Sequence, residues 1–81
     1  MIDPYIVMAK EHLSTVLGCT IESLSVEDTI ETIDTWDSLN HMRLILHLEE
    51  KLGHMIDTDD TLALFSISGI AEYLKKITAQ N

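Results

Sequence analysis

The sequence predicts an all-α protein: a small four-helix bundle of three main helices plus a short third helix, with a long loop between helices 1 and 2. Three segments place apolar residues at the three- and four-residue spacing of amphipathic helices. Residues that favour helix starts and ends bracket these segments. No segment alternates apolar and polar residues in the manner of a β-strand. A chain of 81 residues suits a single small domain spanning residues 1–81.

The first helix is predicted at about residues 4–17. Asp3 can cap a helix N-terminus, and Pro4 is favoured at the first helical position. Gly18 follows the last apolar position, where a glycine commonly ends a helix. The apolar positions in between recur at helical spacing: Ile6, Ala9, Leu13, Val16 and Leu17.

Residues 19–36 form the predicted long loop. Threonine and serine alternate there with acidic residues. Single apolar residues are spaced through the segment, which indicates a loop held to the core at intervals: Ile21, Leu24, Val26, Ile30 and Ile33. A loop of this length is uncommon in a small domain and is often functional.

The second helix is predicted at about residues 38–52 and ends at Gly53. Its apolar residues spread over more than half of the helix circumference. We therefore expect it to be the central helix of the bundle, surrounded by the others. Met42 within it and Met55 beyond it are expected in the core.

A short third helix is predicted at about residues 60–64 and a last helix at about residues 67–77. Ser66 or Ser68 is expected to cap the last helix. The preceding run Asp57-Thr58-Asp59-Asp60 lacks the glycine and the terminal glutamate of a calcium loop. Helix capping and solvation explain this acidic run better than a metal site does.

The composition narrows the classes of function. The chain has 14 acidic and 5 basic residues, and its formal net charge is −9. Such a surface repels nucleic acid and suits a partner that presents a basic patch. A chain this short cannot enclose a deep active site as well as a core, which favours a binding or carrier module over an enzyme. No apolar run approaches the roughly 18 residues of a membrane span.

Cys19 is the only cysteine, so no internal disulfide can form, which fits a reducing cytosol. We interpret Cys19 as a small, buried apolar residue. No signal peptide is expected, because Asp3 and Pro4 stand where its basic region would be. We therefore predict a cytoplasmic protein, and we expect a monomer.

Three histidines offer little for metal binding or catalysis. His41, His47 and His54 do not stand four residues apart, so they form no helical zinc pair. His41 is expected to be packed or interfacial, and His47 to be solvated. We predict no metal site and no catalytic residue.

The stretch Thr35-Trp36-Asp37-Ser38-Leu39 leads directly into the second helix. Asp37 or Ser38 could cap that helix, because both residue types satisfy free backbone N–H groups. If Asp37 is the cap, Ser38 lies in the first turn with its hydroxyl outward. Trp36 is expected to cover the helix entrance or, alternatively, to contact partners.

At these residues the sequence resembles the acyl carrier protein family. Asp37-Ser38-Leu39 matches the family's Asp-Ser-Leu attachment motif, and it stands at the start of the second helix of an acidic chain of matching length. The resemblance covers nearly the whole chain. Further matching segments follow the motif: Met42-Arg43-Leu44-Ile45-Leu46, Leu48-Glu49-Glu50, Gly53, Ile56 and Ile67-Ser68-Gly69-Ile70-Ala71-Glu72-Tyr73-Leu74.

The resemblance implies that Ser38 carries a covalent 4′-phosphopantetheine arm, moved there from coenzyme A by a phosphopantetheinyl transferase that uses magnesium. The thiol of the arm would hold an acyl or aminoacyl group as a thioester for the biosynthetic enzymes that load and transfer it. Asp37 would serve as motif residue and helix cap. The docking surface for these enzymes would comprise Leu39, Met42, Arg43 and Ile56, with Trp36 beside them.

The site departs from the pattern common in fatty-acid carriers. Many of those carriers bear an acid about one turn after the serine, where this chain has Asn40 and Arg43. Trp36 replaces a small residue. We therefore expect a specialised pathway, such as polyketide, aminoacyl or modified-sugar assembly.

Two other functions are open on the sequence. An unmodified acidic helical adaptor would bind partners through the same face without an arm. A small hydrolase with Ser38 as nucleophile would need a base, for which His41, one turn on, is the candidate.

Overall fold

The computed structural model describes residues 3–79, all of whose regular elements are helical. Four α-helices follow one another along the chain: α1 (Pro4–Leu17), α2 (Ser38–Leu52), α3 (Thr58–Thr61) and α4 (Ile67–Ala79). Two 3₁₀ turns, Ile21–Ser23 and Leu62–Phe65, follow α1 and α3. No strand forms within residues 3–79, and an isolated antiparallel bridge joins Thr29 to Ser66. The predicted all-α class and the small helical bundle are confirmed.

The first helix, α1, begins and ends at the residues that the sequence predicts. The Asp3 carboxylate accepts a hydrogen bond from the Tyr5 backbone N–H at 2.9 Å, and Pro4 is the first helical residue. Gly18 takes the left-handed conformation with φ 71°, and its N–H donates to the Ser14 carbonyl oxygen at 2.8 Å. Glycine has no Cβ, so it adopts this conformation without steric penalty.

The bounds of the other helices differ little from those expected. α2 occupies the predicted residues 38–52. α3 begins at Thr58, two residues earlier than predicted, and it tightens into the 3₁₀ turn Leu62–Phe65. α4 reaches Ala79, two residues beyond the predicted end. Within residues 3–79, none of the helices combines the length and the apolar content that crossing a bilayer requires.

The last helix, α4, contributes most to the core of the bundle. It packs along α1 and against the Leu62–Phe65 turn, and it buries five side chains: Ile67, Ile70, Ala71, Tyr73 and Leu74. By contrast, α2 buries only Leu44 and Leu48. The expectation that α2 is the central helix is therefore wrong.

Two methionines also lie outside the core in which they were expected. Met42 is 63% exposed and Met55 is 84% exposed. Met42 is exposed on α2, and Met55 lies in the connection between α2 and α3. An apolar residue within an amphipathic pattern need not face the core, because most of a protein's accessible surface is itself apolar.

The long loop between α1 and α2 is bound to the rest of the fold by side chains and by backbone. Leu24 is buried, and Ile30 and Ile33 pack against the core. The Ile30 N–H donates to the Phe65 carbonyl oxygen at 2.8 Å, and the Ile67 N–H donates to the Asp28 carbonyl oxygen at 3.1 Å. These bonds tie the loop to the junction between the 3₁₀ turn and α4.

Two other residues of this loop lie less deeply than expected. Val26 is 41% exposed, so it does not anchor the loop. Cys19 is a free cysteine that packs against the core but is only half-buried.

The start of α4 lies unusually close to the 3₁₀ turn. Ser66 caps the helix, since its hydroxyl oxygen accepts the Gly69 N–H at 3.0 Å. A Cβ added to Gly69 would lie only 1.8 Å from the Ala63 carbonyl oxygen. Real atoms cannot approach so closely, so glycine at this position allows two backbone segments to meet.

Replacing Gly69 by alanine should therefore destabilise the protein by about 3 kcal/mol, although alanine is the better helix former. The matched control is Gly53→Ala, where a Cβ meets nothing within 4 Å but φ is +76°. That strain should cost only about 1 kcal/mol. Urea unfolding of both variants measures the difference, and a Gly69→Ala variant as stable as the parent protein would contradict this account of the packing.

Candidate functional site

The serine singled out in the sequence stands at the first position of α2. The preceding residue, Asp37, has an extended backbone, and its carboxylate accepts the Asn40 N–H at 2.9 Å. The Asp37 carbonyl oxygen accepts the His41 N–H at 2.8 Å. Asp37 is thus the helix cap, and the side chain of Ser38 is exposed. The serine hydroxyl is accordingly free of a capping role.

Trp36 anchors the chain just before this cap. Its side chain is only 2% exposed, and its backbone N–H donates to the Ile33 carbonyl oxygen at 3.0 Å. The indole Nε1–H donates to Nδ1 of His41 at 3.1 Å. Trp36 therefore covers the entrance of α2 from within the core.

The docking surface expected from the sequence needs two corrections. Trp36 is buried, and Ile56 is only 8% exposed, so neither side chain is available to a partner. Ile56 is held inward by its backbone N–H, which donates to the Glu49 carboxylate at 2.9 Å. The sequence analysis assigned Glu49 no structural role, whereas its carboxylate holds the chain that follows α2.

A row of exposed apolar side chains runs along α2 from the serine. Leu39, Met42 and Leu46 are 67%, 63% and 59% exposed, and we refer to them as the α2 stripe. Arg43 is also exposed, and its guanidinium donates to the Asn40 side-chain oxygen at 3.4 Å. The remaining expected docking residues, Leu39, Met42 and Arg43, are therefore accessible.

A cleft of about 310 Å³ opens between α2 and the segment that contains α3 and the 3₁₀ turn. We refer to it as the α2–α3 cleft, and it is lined by Ser38, His41, Met42, Ile45, Thr61 and Phe65. Ser38 thus lies at the edge of a concave and mainly apolar surface. Such a surface can receive part of a flexible group attached to the serine.

His41 forms part of the wall of this cleft and stacks on Phe65. The two ring centroids are 4.3 Å apart, and the ring planes differ by 15°. Burial lowers the pKa of the His41 imidazole below its ordinary value, so the ring is neutral near pH 7. The sequence-based expectation of a packed or interfacial histidine agrees with this position.

The hydrogen bond from Trp36 decides which nitrogen of His41 holds the proton. Indole N–H can only donate, so Nδ1 of His41 is the acceptor and the neutral ring is protonated at Nε2. Nε2 is buried and has no partner within residues 3–79. A buried donor without a partner costs about 1–3 kcal/mol. The arrangement also leaves His41 no free lone pair for Ser38, which argues against a hydrolase.

A pair of histidines lies away from Ser38, and the sequence analysis did not identify it. Nδ1 of His12 and Nε2 of His47 are 3.0 Å apart and link α1 to α2. Burial, followed by the neighbouring His47 ring, lowers the pKa of His12. His47 is half-buried, so the expectation of a solvated residue is wrong. No local pattern could reveal this pair, because its members are 35 residues apart.

The two histidines do not complete a metal site. Within residues 3–79, no group of three or more histidine, cysteine or acidic side chains could hold a metal ion. A separate cleft of about 420 Å³ contains the pair, with Glu11 and Lys51 in its wall.

Comparison with models of known protein families identifies the family of the chain. The family model described as "Phosphopantetheine attachment site" matches residues 9–74. The chain belongs to this family. The match runs from α1 into α4 and includes all of the helix start described above. Members of the phosphopantetheine-attachment family bind 4′-phosphopantetheine covalently, and the domain is a carrier domain and not a catalytic one. No curated protein matches the chain.

The residues at the start of α2 fit such a group. The Ser38 side chain is exposed, and an anion near it would lie at the N-terminus of a 15-residue helix. The partial positive charge of a helix N-terminus favours a phosphate. The cleft beside the serine is large enough to receive part of a flexible arm.

The capping geometry predicts unequal effects for two aspartates. Asp37→Ala removes a side-chain acceptor and should destabilise the protein by about 1 kcal/mol. Asp57→Ala is the matched control, because Asp57 precedes α3 without a side-chain capping bond, and its replacement should change stability by less than about 0.5 kcal/mol. Urea unfolding would measure both values, and equal losses would show that the Asp37 bond contributes nothing particular.

Proposed function

We propose that Ser38 is the attachment point of 4′-phosphopantetheine and that the protein presents acyl or aminoacyl groups on this arm. The observation that supports the proposal best is an exposed serine at the first position of a helix that its neighbour caps. Membership of the phosphopantetheine-attachment family indicates that the attached group is 4′-phosphopantetheine. The serine has no other structural duty at this position, since Asp37 satisfies the backbone.

In the proposed priming step, the Ser38 hydroxyl oxygen attacks the coenzyme A phosphorus that bears the pantetheine. A bond forms between that oxygen and phosphorus, the bridging bond of the diphosphate breaks, and the adenosine bisphosphate portion leaves. The hydroxyl proton passes to a base on the magnesium-dependent phosphopantetheinyl transferase. The nearby His41 does not serve as this base, because it is already protonated at Nε2 and accepts the Trp36 N–H at Nδ1.

The chain's own contribution is position and electrostatics. The N-terminus of α2 stabilises the phosphodiester through the helix dipole. The arm's terminal thiol would supply the thioester bond that holds the cargo. Apart from this, the protein offers partner enzymes a surface, since none of its own groups acts on the cargo in this proposal.

We propose that the α2 stripe together with Arg43 forms the docking surface for those enzymes. All four side chains are exposed, and the row begins at Leu39, next to Ser38. The overall charge of −9 favours partners with basic surfaces. At the stripe itself, however, an apolar patch with one cation favours an apolar partner surface that bears a carboxylate. This local reversal supports a specialised pathway over general fatty-acid synthesis.

The alternative of an unmodified helical adaptor would use the same α2 stripe. The two functions differ in whether partner recognition needs the arm. Binding that is identical with and without Ser38 would favour the adaptor, whereas a dependence on the primed serine supports the carrier.

Priming should occur at Ser38 and nowhere else. Incubation with coenzyme A, magnesium and a broad-specificity transferase should raise the intact mass by one phosphopantetheine. Ser38→Ala should abolish the gain, whereas Ser68→Ala, which removes an exposed serine in the first turn of α4, should leave it unchanged. A parent protein that gains no mass, or a Ser38→Ala variant that still gains it, would refute attachment at Ser38.

Arg43→Glu should lower kcat/KM several-fold, up to about tenfold, with an enzyme that reads this surface, because a rim charge chiefly alters the rate of encounter. Lys75→Glu carries the same charge change to an exposed position on α4 and should have little effect. The measurement is the turnover of each holo variant by its cognate loading enzyme, with circular dichroism to verify the fold. Equal turnover of both variants would remove Arg43 from the docking surface.

A further inference from the structure

His41, which lines the same cleft as Ser38, has one ring nitrogen whose hydrogen-bonding capacity is unused among the described residues. Nε2 of His41 is buried and has no partner within residues 3–79. Native structures pair almost all such groups, so an exception at the edge of a ligand cleft calls for a reason. The Trp36 bond to Nδ1 makes this atom an N–H donor in the neutral ring.

The position of His41 indicates where an acceptor could come from. His41 lines the α2–α3 cleft, which begins at Ser38. The other walls supply no comparable donor: Met42, Ile45 and Phe65 are apolar, and the Thr61 hydroxyl donates to the Thr58 carbonyl oxygen at 2.6 Å. Among the side chains that line the cleft away from Ser38, His41 therefore has the donor that still needs a partner.

Phe65 covers one face of the His41 imidazole in the wall of the cleft. Its ring lies parallel to the imidazole at 4.3 Å, and it is 39% exposed. A side chain that is partly in solvent can move between rotamers rapidly. Movement of Phe65 would change the shape of the cleft wall next to His41, whose Nε2–H bond lies in the plane of the imidazole.

We propose that the His41 Nε2–H donates a hydrogen bond to an oxygen atom of the arm or its cargo in the α2–α3 cleft. His41 is then a specificity-determining residue that favours oxygen-bearing groups over purely hydrocarbon ones. This inference rests on the proposed attachment at Ser38. A carbonyl or hydroxyl oxygen satisfies the donor, whereas an alkyl or ammonium group placed there leaves it unpaired.

Two sources could supply the oxygen, and loading with defined groups separates them. The protein is converted with coenzyme A, butyryl-coenzyme A or 3-oxobutyryl-coenzyme A, and intact mass verifies each product. The free arm offers its own amide carbonyls, the butyryl form adds the thioester carbonyl, and the 3-oxobutyryl form adds one further ketone. Nitrogen-15 NMR of the histidine side chains then follows Nε2–H of His41 in the apo protein and in each product.

We expect the NMR signal of the His41 Nε2–H proton to shift downfield on modification. In the series from the free arm to the butyryl and 3-oxobutyryl forms, the shift should begin with the form that supplies the acceptor. A shift in the free-arm form assigns the acceptor to the arm, and a shift confined to a loaded form assigns it to the cargo. His54, which is exposed beyond the end of α2, is the internal control and should not move. Identical His41 signals in fully modified and apo protein would overturn the inference while leaving attachment intact.

Two substitutions test the same point without relying on the His41 signal. The fraction of 3-oxobutyryl cargo inside the cleft is measured from its nuclear Overhauser effects to Ile45 and Thr61. His41→Phe keeps an aromatic ring against Phe65 but removes the donor, and it should lower this occupancy about fivefold. His41→Gln keeps both an acceptor for Trp36 and an N–H donor, and it should retain most of the occupancy.

The outcomes separate the two proposals. If no form gains mass, attachment at Ser38 fails and the His41 inference fails with it. If the mass rises but His41→Phe and His41→Gln behave like the parent protein, only the His41 inference is overturned. Should His41→Phe prove unfolded, the chemical shift of His41 in the parent protein still decides the question.

Discussion

The burial of Trp36 is the interaction on which the rest of the site depends. This side chain is 2% exposed, and a buried indole needs an acceptor for its N–H, which His41 provides one turn into α2. The loop end and the helix are thereby joined by packing and by a hydrogen bond. The next residue, Asp37, is extended and caps the helix. Ser38 is consequently exposed to solvent. Of these three consecutive residues, Trp36 is buried, Asp37 caps the helix and Ser38 presents its hydroxyl.

The cleft beside the serine depends on the same kind of anchoring farther along the chain. Phe65 forms one wall, and its carbonyl oxygen is held by the Ile30 N–H from the long loop. The close approach at Gly69 fixes α4 against the other end of the 3₁₀ turn. The loop between α1 and α2 therefore helps to position the cleft wall at Phe65, although none of the cleft-lining side chains belongs to the loop. The loop thus contributes to the site through backbone bonds and core packing.

Local chemistry was enough to predict the parts of the site that depend on neighbouring residues. Capping preferences predicted the start of α2, and the Asp-Ser-Leu motif, placed at the start of the second helix of an acidic chain of this length, predicted the family. Contacts between separate segments could not be predicted from local sequence. No local pattern connects His12 to His47 or the Glu49 carboxylate to the Ile56 backbone. The apolar pattern of α2 likewise could not show that Met42 faces solvent while Leu44 is buried. A hydrophobic side chain on a helix reports a preference for an apolar environment, which a partner can supply as well as the core.

The exposed α2 stripe and the acidic net charge of the protein have opposite effects on self-association. A helix that leaves Leu39, Met42 and Leu46 largely in solvent offers other molecules an apolar contact, which includes other copies of itself. A net charge of −9 on every copy opposes that self-association through mutual repulsion. An enzyme with a basic surface meets attraction in place of repulsion, and the stripe then adds short-range apolar contact. In the proposed function, charge would select which encounters occur, and the stripe would stabilise those that bring an active site to Ser38.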